Sequence, residues 1–167
     1  METVTTKVYN YTELSDEAKE KAREWYKEGD ELPFLPEDIN EQAHNIINNH
    51  KDLDDVVIEN IFYSLSYCQG DGLMIEMTGN YKEFHFKVKQ NGHYNHERST
   101  TISLWNDECE EEDHEEFEEK VYIPICEELR DFGYDTIESM NNDEFVADAL
   151  TNNDYQFYSD GSLYIEK

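Results

Sequence analysis

Positive charge is scarce in this chain of 167 residues: 13 Lys and Arg stand against 41 Asp and Glu, a net of −28. A surface this negative repels phosphate backbones, which excludes binding of DNA, RNA or anionic lipid through a basic face. Basic proteins or metal ions remain as expected partners. Long apolar runs are also missing, since no stretch approaches the roughly 18 to 20 apolar residues of a membrane span. The first seven residues, Met1 to Lys7, lack the charged and apolar regions of a secretory signal. These absences lead to the expectation of a soluble protein of the cytosol, here a host cell's cytoplasm. Cysteine is sparse: Cys68, Cys109 and Cys126 are an odd number at irregular spacing, which suits free thiols in a reducing compartment better than a disulfide framework.

Several chemical motifs are lacking as well. Gly70-Asp71-Gly72 opens no helix and precedes no Lys, so it reads as a turn and not as a phosphate cradle. His93 and His96 form a His-x-x-His pair, with Cys109, His114 and Cys126 downstream, but no paired Cys-x-x-Cys completes a zinc site. No loop alternates Asp and Asn before the Gly and bidentate Glu of a calcium-binding hand. Cys68 with His85 or His93, and Asp71 as orienter, would be the residue types of a nucleophilic triad. Six His and three Cys supply such combinations by chance. The expectation is therefore a protein that is not an enzyme and carries neither metal nor cofactor.

What the chain does have is a core. Hydrophobic residues make up 37% and aromatics 13%, including 12 Tyr and 8 Phe, enough large side chains to hold a folded domain despite the charge. The length matches a single domain over residues 1–167. Residues 3–9 alternate as a short strand. Ser15-Asp16-Glu17-Ala18 then caps a helix whose apolar stripe is Leu14, Ala18, Ala22, Trp25 and Tyr26, and Gly29 ends it. Beyond Pro33, Pro36-Glu37-Asp38 opens a second helix with the stripe Ile39, Ala43, Ile46 and Ile47. From Val56 to Tyr67 the β-branched and aromatic residues predict a strand with Ile61, Tyr63, Leu65 and Tyr67 on one face. Strands over 73–78, 81–89 and 99–105 follow, joined by short turns at 68–72 and Asn91-Gly92, which implies an antiparallel meander.

A helical half comes next, over 107–132 and 142–150, with a kink or restart expected at Pro124 and a small hairpin closing the chain over 155–165. The fold class is α+β: an antiparallel sheet of about four to five strands, helices packed on one face, and an acidic helical C-terminal half.

The charge is uneven. Residues 101–167 hold 3 basic and 21 acidic residues, a net of −18, against −10 for residues 1–100. Asp107, Glu108, Glu110, Glu111, Glu112, Asp113, Glu115, Glu116, Glu118 and Glu119 place 10 acids in 13 positions. As a helix this run is about 20 Å long, near one charge per 2 Å, against about 1.7 Å in duplex DNA. Crowding like charges costs self-repulsion, and solubility needs far fewer. These ten acids are the candidate partner-binding residues, arranged to imitate a phosphate backbone.

Three segments, Tyr9 to Tyr26, Tyr63 to Gly72 and Gly92 to His96, resemble a group of small acidic proteins carried by phages and mobile elements, some of them labelled antitoxin-like. The chain also looks like the branch of that group identified as type II anti-CRISPR proteins, which inhibit Cas9. The resemblance implies a non-enzymatic, DNA-mimicking inhibitor of a bacterial defence nuclease, with Cas9 and its guide RNA as expected partner. An antitoxin that binds a basic toxin, and a DNA-mimic antirestriction protein, are the alternatives.

Overall fold

The computed structural model describes residues 7–29, 32, 34–106 and 110–165. The chain divides into two compact units, one made from its two ends (Met1–Pro33 with Ile137–Lys167), the other from Phe34–Thr136.

In the first unit, strand β1 (Tyr9–Asn10) pairs antiparallel with β6 (Gln156–Phe157), so the end of the sequence folds back onto its beginning. A short 3₁₀ turn (Tyr11–Glu13) leads to helix α1 (Asp16–Glu28), where the Ser15 side chain accepts the Ala18 N–H at 3.3 Å. Helix α5 (Asp143–Asn152) starts the same way, with the Asn142 side chain accepting the Glu144 N–H at 2.8 Å. Tyr11, Leu14, Ala18, Ala22, Val146, Leu150 and Phe157 form the core. Trp25 borders it, edge-on to Tyr155 and Phe157. The anticipated closing hairpin forms in short form: Phe157 bridges Leu163 antiparallel, the Tyr158 N–H donates to the Ser162 carbonyl at 2.9 Å and the Tyr164 N–H to the Gln156 carbonyl at 2.8 Å, while β6 pairs with β1 along its other edge. Of the strand expected over 3–9, only Tyr9 is found in a strand, and residues 1–6 lie outside the described residues. The acids Asp30 and Glu31, and Pro33, also lie outside them.

The second unit is the predicted meander. Strands β2 (Leu53–Ser64), β3 (Gly72–Tyr81), β4 (Phe84–Gln90) and β5 (Thr100–Trp105) lie side by side in chain order, all antiparallel. Alternation sends Leu73, Ile75 and Met77, with Phe84, Phe86 and Val88, to one buried face. His85, Lys87, Thr101, Ser103 and Trp105 stay exposed on the other. The edge strand β2 carries register shifts near Asp55 and Asn60 and several acids, features that guard a sheet edge against further pairing.

The buried face is covered by α2 (Leu35–Asn48), which buries Leu35, Ile39, Ala43 and Ile47, and by α4 (Ile123–Met140), which runs on into the first unit. Gly133 sits where a methyl group would lie 2.6 Å from the end of the Leu65 side chain, so a larger residue there would require Leu65 to shift. From Glu111 onward the helical run is unbroken but not regular. Helix α3 (Glu111–Phe117) passes into a π-helical turn (Glu118–Tyr122), and α4 restarts at Ile123, one residue before Pro124, which has no N–H to donate.

Tyr122, from that turn, reaches the sheet interior. Its hydroxyl accepts the Ile75 N–H at 3.1 Å and donates to the Ile75 carbonyl at 3.1 Å. Strand β4 pairs β3 only between Met77 and Tyr81, and the phenol caps the backbone groups exposed beyond that ladder. Burial pushes both the Tyr122 hydroxyl and the neighbouring Cys126 thiol up, the latter to about 12.

Candidate partner-binding surface

Helix α3 is built to leave its acids outside. Asp113 closes the first turn by accepting the Glu110 N–H at 2.9 Å, and Glu111, Glu112 and Asp113 sit where the helix dipole favours negative charge. One residue, Phe117, pins the helix down: fully buried, its ring stands 4.8 Å from Phe86 and 5.1 Å from Tyr81. At about 100° per residue, Glu111, Glu112 and Glu115 fall on the side away from Phe117, and all three are exposed.

The ten predicted acids divide into four groups. Asp107 and Glu108 lie outside the described residues. Glu110 and Asp113 form the cap. Glu116 and Glu119 are paired: Lys82 and Lys120 lie 3.6 and 3.4 Å from Glu116, and Arg98 lies 3.1 Å from Glu119. The hydrogen bond and charge of Glu119 raise the Arg98 pKa further. Lys82 reaches Glu116 from the β3–β4 turn, where it adopts a left-handed φ of 51°. Glu111, Glu112, Glu115 and Glu118 make no ion pair among the described residues. Three intervals over seven residues of helix give about one free carboxylate per 3.5 Å. That is the spacing of phosphates along one DNA strand, about 3.4 Å, and no longer that of the duplex. The sequence estimate was denser because it counted acids that capping and ion pairing take up.

A second constructed feature lies at the end of the sheet where the β2–β3 and β4–β5 connections meet. Asp71 accepts hydrogen bonds from Tyr134 Oη at 2.5 Å, Ser64 Oγ at 3.3 Å, and the Cys68 N–H and Sγ at 3.2 Å each. Burial pushes its carboxyl up, but the bonds from Tyr134, the Ser66 N–H and Cys68 outweigh this and hold it well below the usual carboxylate range. Burial, then the Asp71 bond and charge, push Tyr134 up to about 12. The turn is so tightly wound that Tyr67, expected in strand β2, instead adopts φ 56° beyond its end, its ring 4.8 Å from that of Tyr134. A methyl group on Gly72 would lie 2.5 Å from the Asn95 carbonyl, and the Asn95 side chain donates to the Tyr63 carbonyl at 3.2 Å, so the two connections are locked together. Tyr67 and Tyr94, 68% and 74% exposed, project from them.

The residues considered for catalysis and metal binding are not assembled. Asp71 meets Cys68, but His85 pairs with Asn80 at 2.6 Å, eight residues along β3 from Gly72, or about 26 Å. His96 Nδ1 accepts the Arg98 N–H at 3.2 Å and faces buried Glu97 at 3.3 Å, while His93 is exposed. Cys109 lies outside the described residues. Among the described residues, no group of three or more His, Cys, Asp and Glu side chains is placed to hold a metal ion. Sequence reasoning missed Tyr134 as the partner of Asp71, Tyr122 as the cap of β3, and the cations that neutralise Glu116 and Glu119. The Asp71–Tyr134 partners lie 63 residues apart and no local pattern carries them, whereas Lys120 stands four residues after Glu116, a helical spacing that the sequence does display.

No helix among the described residues is long and apolar enough to cross a membrane. In comparison with known proteins, no family model, no curated protein and no solved structure matches the chain.

Proposed function

We propose that this protein is a non-enzymatic inhibitor that occupies the basic nucleic-acid channel of a bacterial defence nuclease, with guide-loaded Cas9 as the target to test first. The observation that carries this reading is the strip along α3 and the start of the π-helical turn, where Glu111, Glu112, Glu115 and half-buried Glu118 match on average the charge spacing of one nucleic-acid strand. A channel that binds a nucleic-acid backbone is positive along its length, and a molecule of net charge −28 is steered into it. The exposed, uncharged Tyr67 and Tyr94 on locked connections add side chains of the type that anchor protein contacts.

The test is competition. Wild-type protein added to guide-loaded Cas9 should block target-DNA binding, more weakly as salt rises from low to physiological. Four ion pairs with a partner at about 0.5 kcal/mol each amount to about 2 kcal/mol, so the variant carrying Glu111→Gln, Glu112→Gln, Glu115→Gln and Glu118→Gln should bind about thirtyfold more weakly. A variant that inhibits as well as the parent removes the strip from the contact surface. If the parent leaves DNA binding untouched but rescues growth from a co-expressed basic toxin, the antitoxin alternative replaces the inhibitor reading.

A further inference from the structure

Between α2 and the chain that leads from the π-helical turn into α4 lies a groove of about 370 Å³, wholly within the second unit. Its two walls differ in chemistry. One is apolar: Val121 and Ile125 are each 3% exposed and form a floor, with half-buried Ile46 beside them and Pro124 at the lip. The groove opens where the regular helical surface is broken, since Ile123 donates its N–H to the Glu118 carbonyl in a π pattern and Pro124 follows.

The other wall is a row of amides on α2. Residues 42–50 read Gln-Ala-His-Asn-Ile-Ile-Asn-Asn-His, without an Asp, Glu, Lys or Arg, in a chain 32% charged. Asparagine is a poor helix former and exposed Lys or Glu would serve solubility better, so three of them in this stretch call for another explanation. For Asn45 and Asn49 their bonding supplies it in part, Asn49 also closing the helix end by donating to the Asn45 backbone carbonyl at 2.8 Å. The Asn49 side-chain N–H donates to Asn45 Oδ1 at 2.9 Å, and the Asn45 side-chain N–H donates to Gln42 Oε1 at 3.5 Å. The row is thereby ordered, yet its ends are open: the Gln42 amide N–H groups and Asn49 Oδ1 have no hydrogen-bond partner among the described residues. A donor and an acceptor seven helical residues apart are separated by about 10 Å, the length of three extended residues at about 3.4 Å each.

We propose that this groove binds an extended peptide segment of a partner protein. One peptide carbonyl accepts from Gln42, one peptide N–H donates to Asn49 about three residues away, and the side chain between them, of leucine size, enters the hollow over Val121 and Ile125. The rim holds His50, Lys120 and Glu128 and is close to neutral, so recognition rests on backbone and apolar contacts. The −28 field of the whole chain favours basic residues on either side. The site shares with the α3 carboxylates only Lys120, which pairs with Glu116.

Three capped tripeptides test it, titrated into ¹⁵N-labelled full-length protein and followed by NMR: acetyl-Lys-Leu-Lys-amide, acetyl-Lys-Gly-Lys-amide and acetyl-Glu-Leu-Glu-amide. The first should saturate at roughly millimolar affinity and shift the Asn45 and Asn49 side-chain amides together with Val121 and Ile125. The glycine peptide should bind about tenfold more weakly, the worth of burying most of a leucine side chain, and the acidic peptide more weakly than the basic one. The double variant Gln42→Ala, Asn49→Ala leaves the floor intact and should lose several-fold in affinity while the free protein keeps its Val121 and Ile125 resonances in place, the thermal midpoint falling only by the loss of the Asn49 bond to the Asn45 carbonyl. Equal affinity for the leucine and glycine peptides, shifts centred elsewhere, preference for the acidic peptide, or no saturation would each overturn the proposal. The variant with the four α3 glutamates neutralised should keep the leucine-over-glycine preference, so that failure of the inhibitor reading and failure of this one are told apart.

Discussion

Replacing Tyr122 by Phe removes one oxygen and keeps the ring, and its consequence follows from the geometry around Ile75. That residue is fully buried, and its N–H and carbonyl both end on the Tyr122 hydroxyl at 3.1 Å. Water has no access, so the variant leaves one buried donor and one buried acceptor unmet. Each such group costs about 1–3 kcal/mol, and the carbonyl retains a second lone pair for weak contacts, so a total of about 2–4 kcal/mol is expected. With a urea m-value near 2 kcal/mol/M, the unfolding midpoint should fall by about 1–2 M with unchanged m. Native-state hydrogen exchange at the Ile75 amide should accelerate by about 30- to 1,000-fold, since each 1.4 kcal/mol is a factor of ten. A midpoint lowered by less than about 0.3 M with unchanged Ile75 exchange would refute the claim that the phenol stands in for a missing strand.

Three further outcomes are expected. Peptide-resolved alkylation of the folded protein should label exposed Cys68 quickly and leave buried Cys126 unlabelled until urea unfolds the chain; early labelling of Cys126 would contradict its packing against Tyr122. Asp71 has a folded pKa below its unfolded value, so its contribution to stability is present above about pH 4 and is lost as pH falls through the folded pKa. The stability gap between wild type and Asp71→Asn should therefore narrow in acid, and a gap constant from pH 7 to pH 2 would exclude a charged hydrogen-bond hub. Gly161→Ala should destabilise the first unit by more than about 1 kcal/mol in thermal melts, because Gly161 has φ 83° and an added Cβ would lie 2.2 Å from the Ala18 carbonyl. A neutral substitution there would mean that the turn is free to move.

The strands and most helix starts were legible because each rests on short-range periodicity. Alternation at Phe84, Phe86 and Val88 suffices to define a half-buried strand, and the Ser15 cap with its stripe defines a helix, wherever in space either ends up. The irregularity near Pro124 was legible for the same local reason, the missing N–H. Charge composition, too, needs no coordinates: the net of −28 holds in any fold.

Apart from the Glu116–Lys120 pair, whose spacing of four residues is local, which carboxylates remain available was decided by tertiary structure. Lys82 and Arg98 flank sheet strands and reach Glu116 and Glu119 only because the meander brings the β3–β4 turn and the approach to β5 beside α3. Strand β6 joins β1 from the other end of the chain as well as its neighbour in sequence, and Asp71 finds its strongest donor on a distant helix. Coulomb attraction and hydrogen bonding act over a few ångströms of space whatever the separation along the chain. A linear pattern therefore predicts how much charge there is, and only the packed chain determines how much of it is left facing a partner.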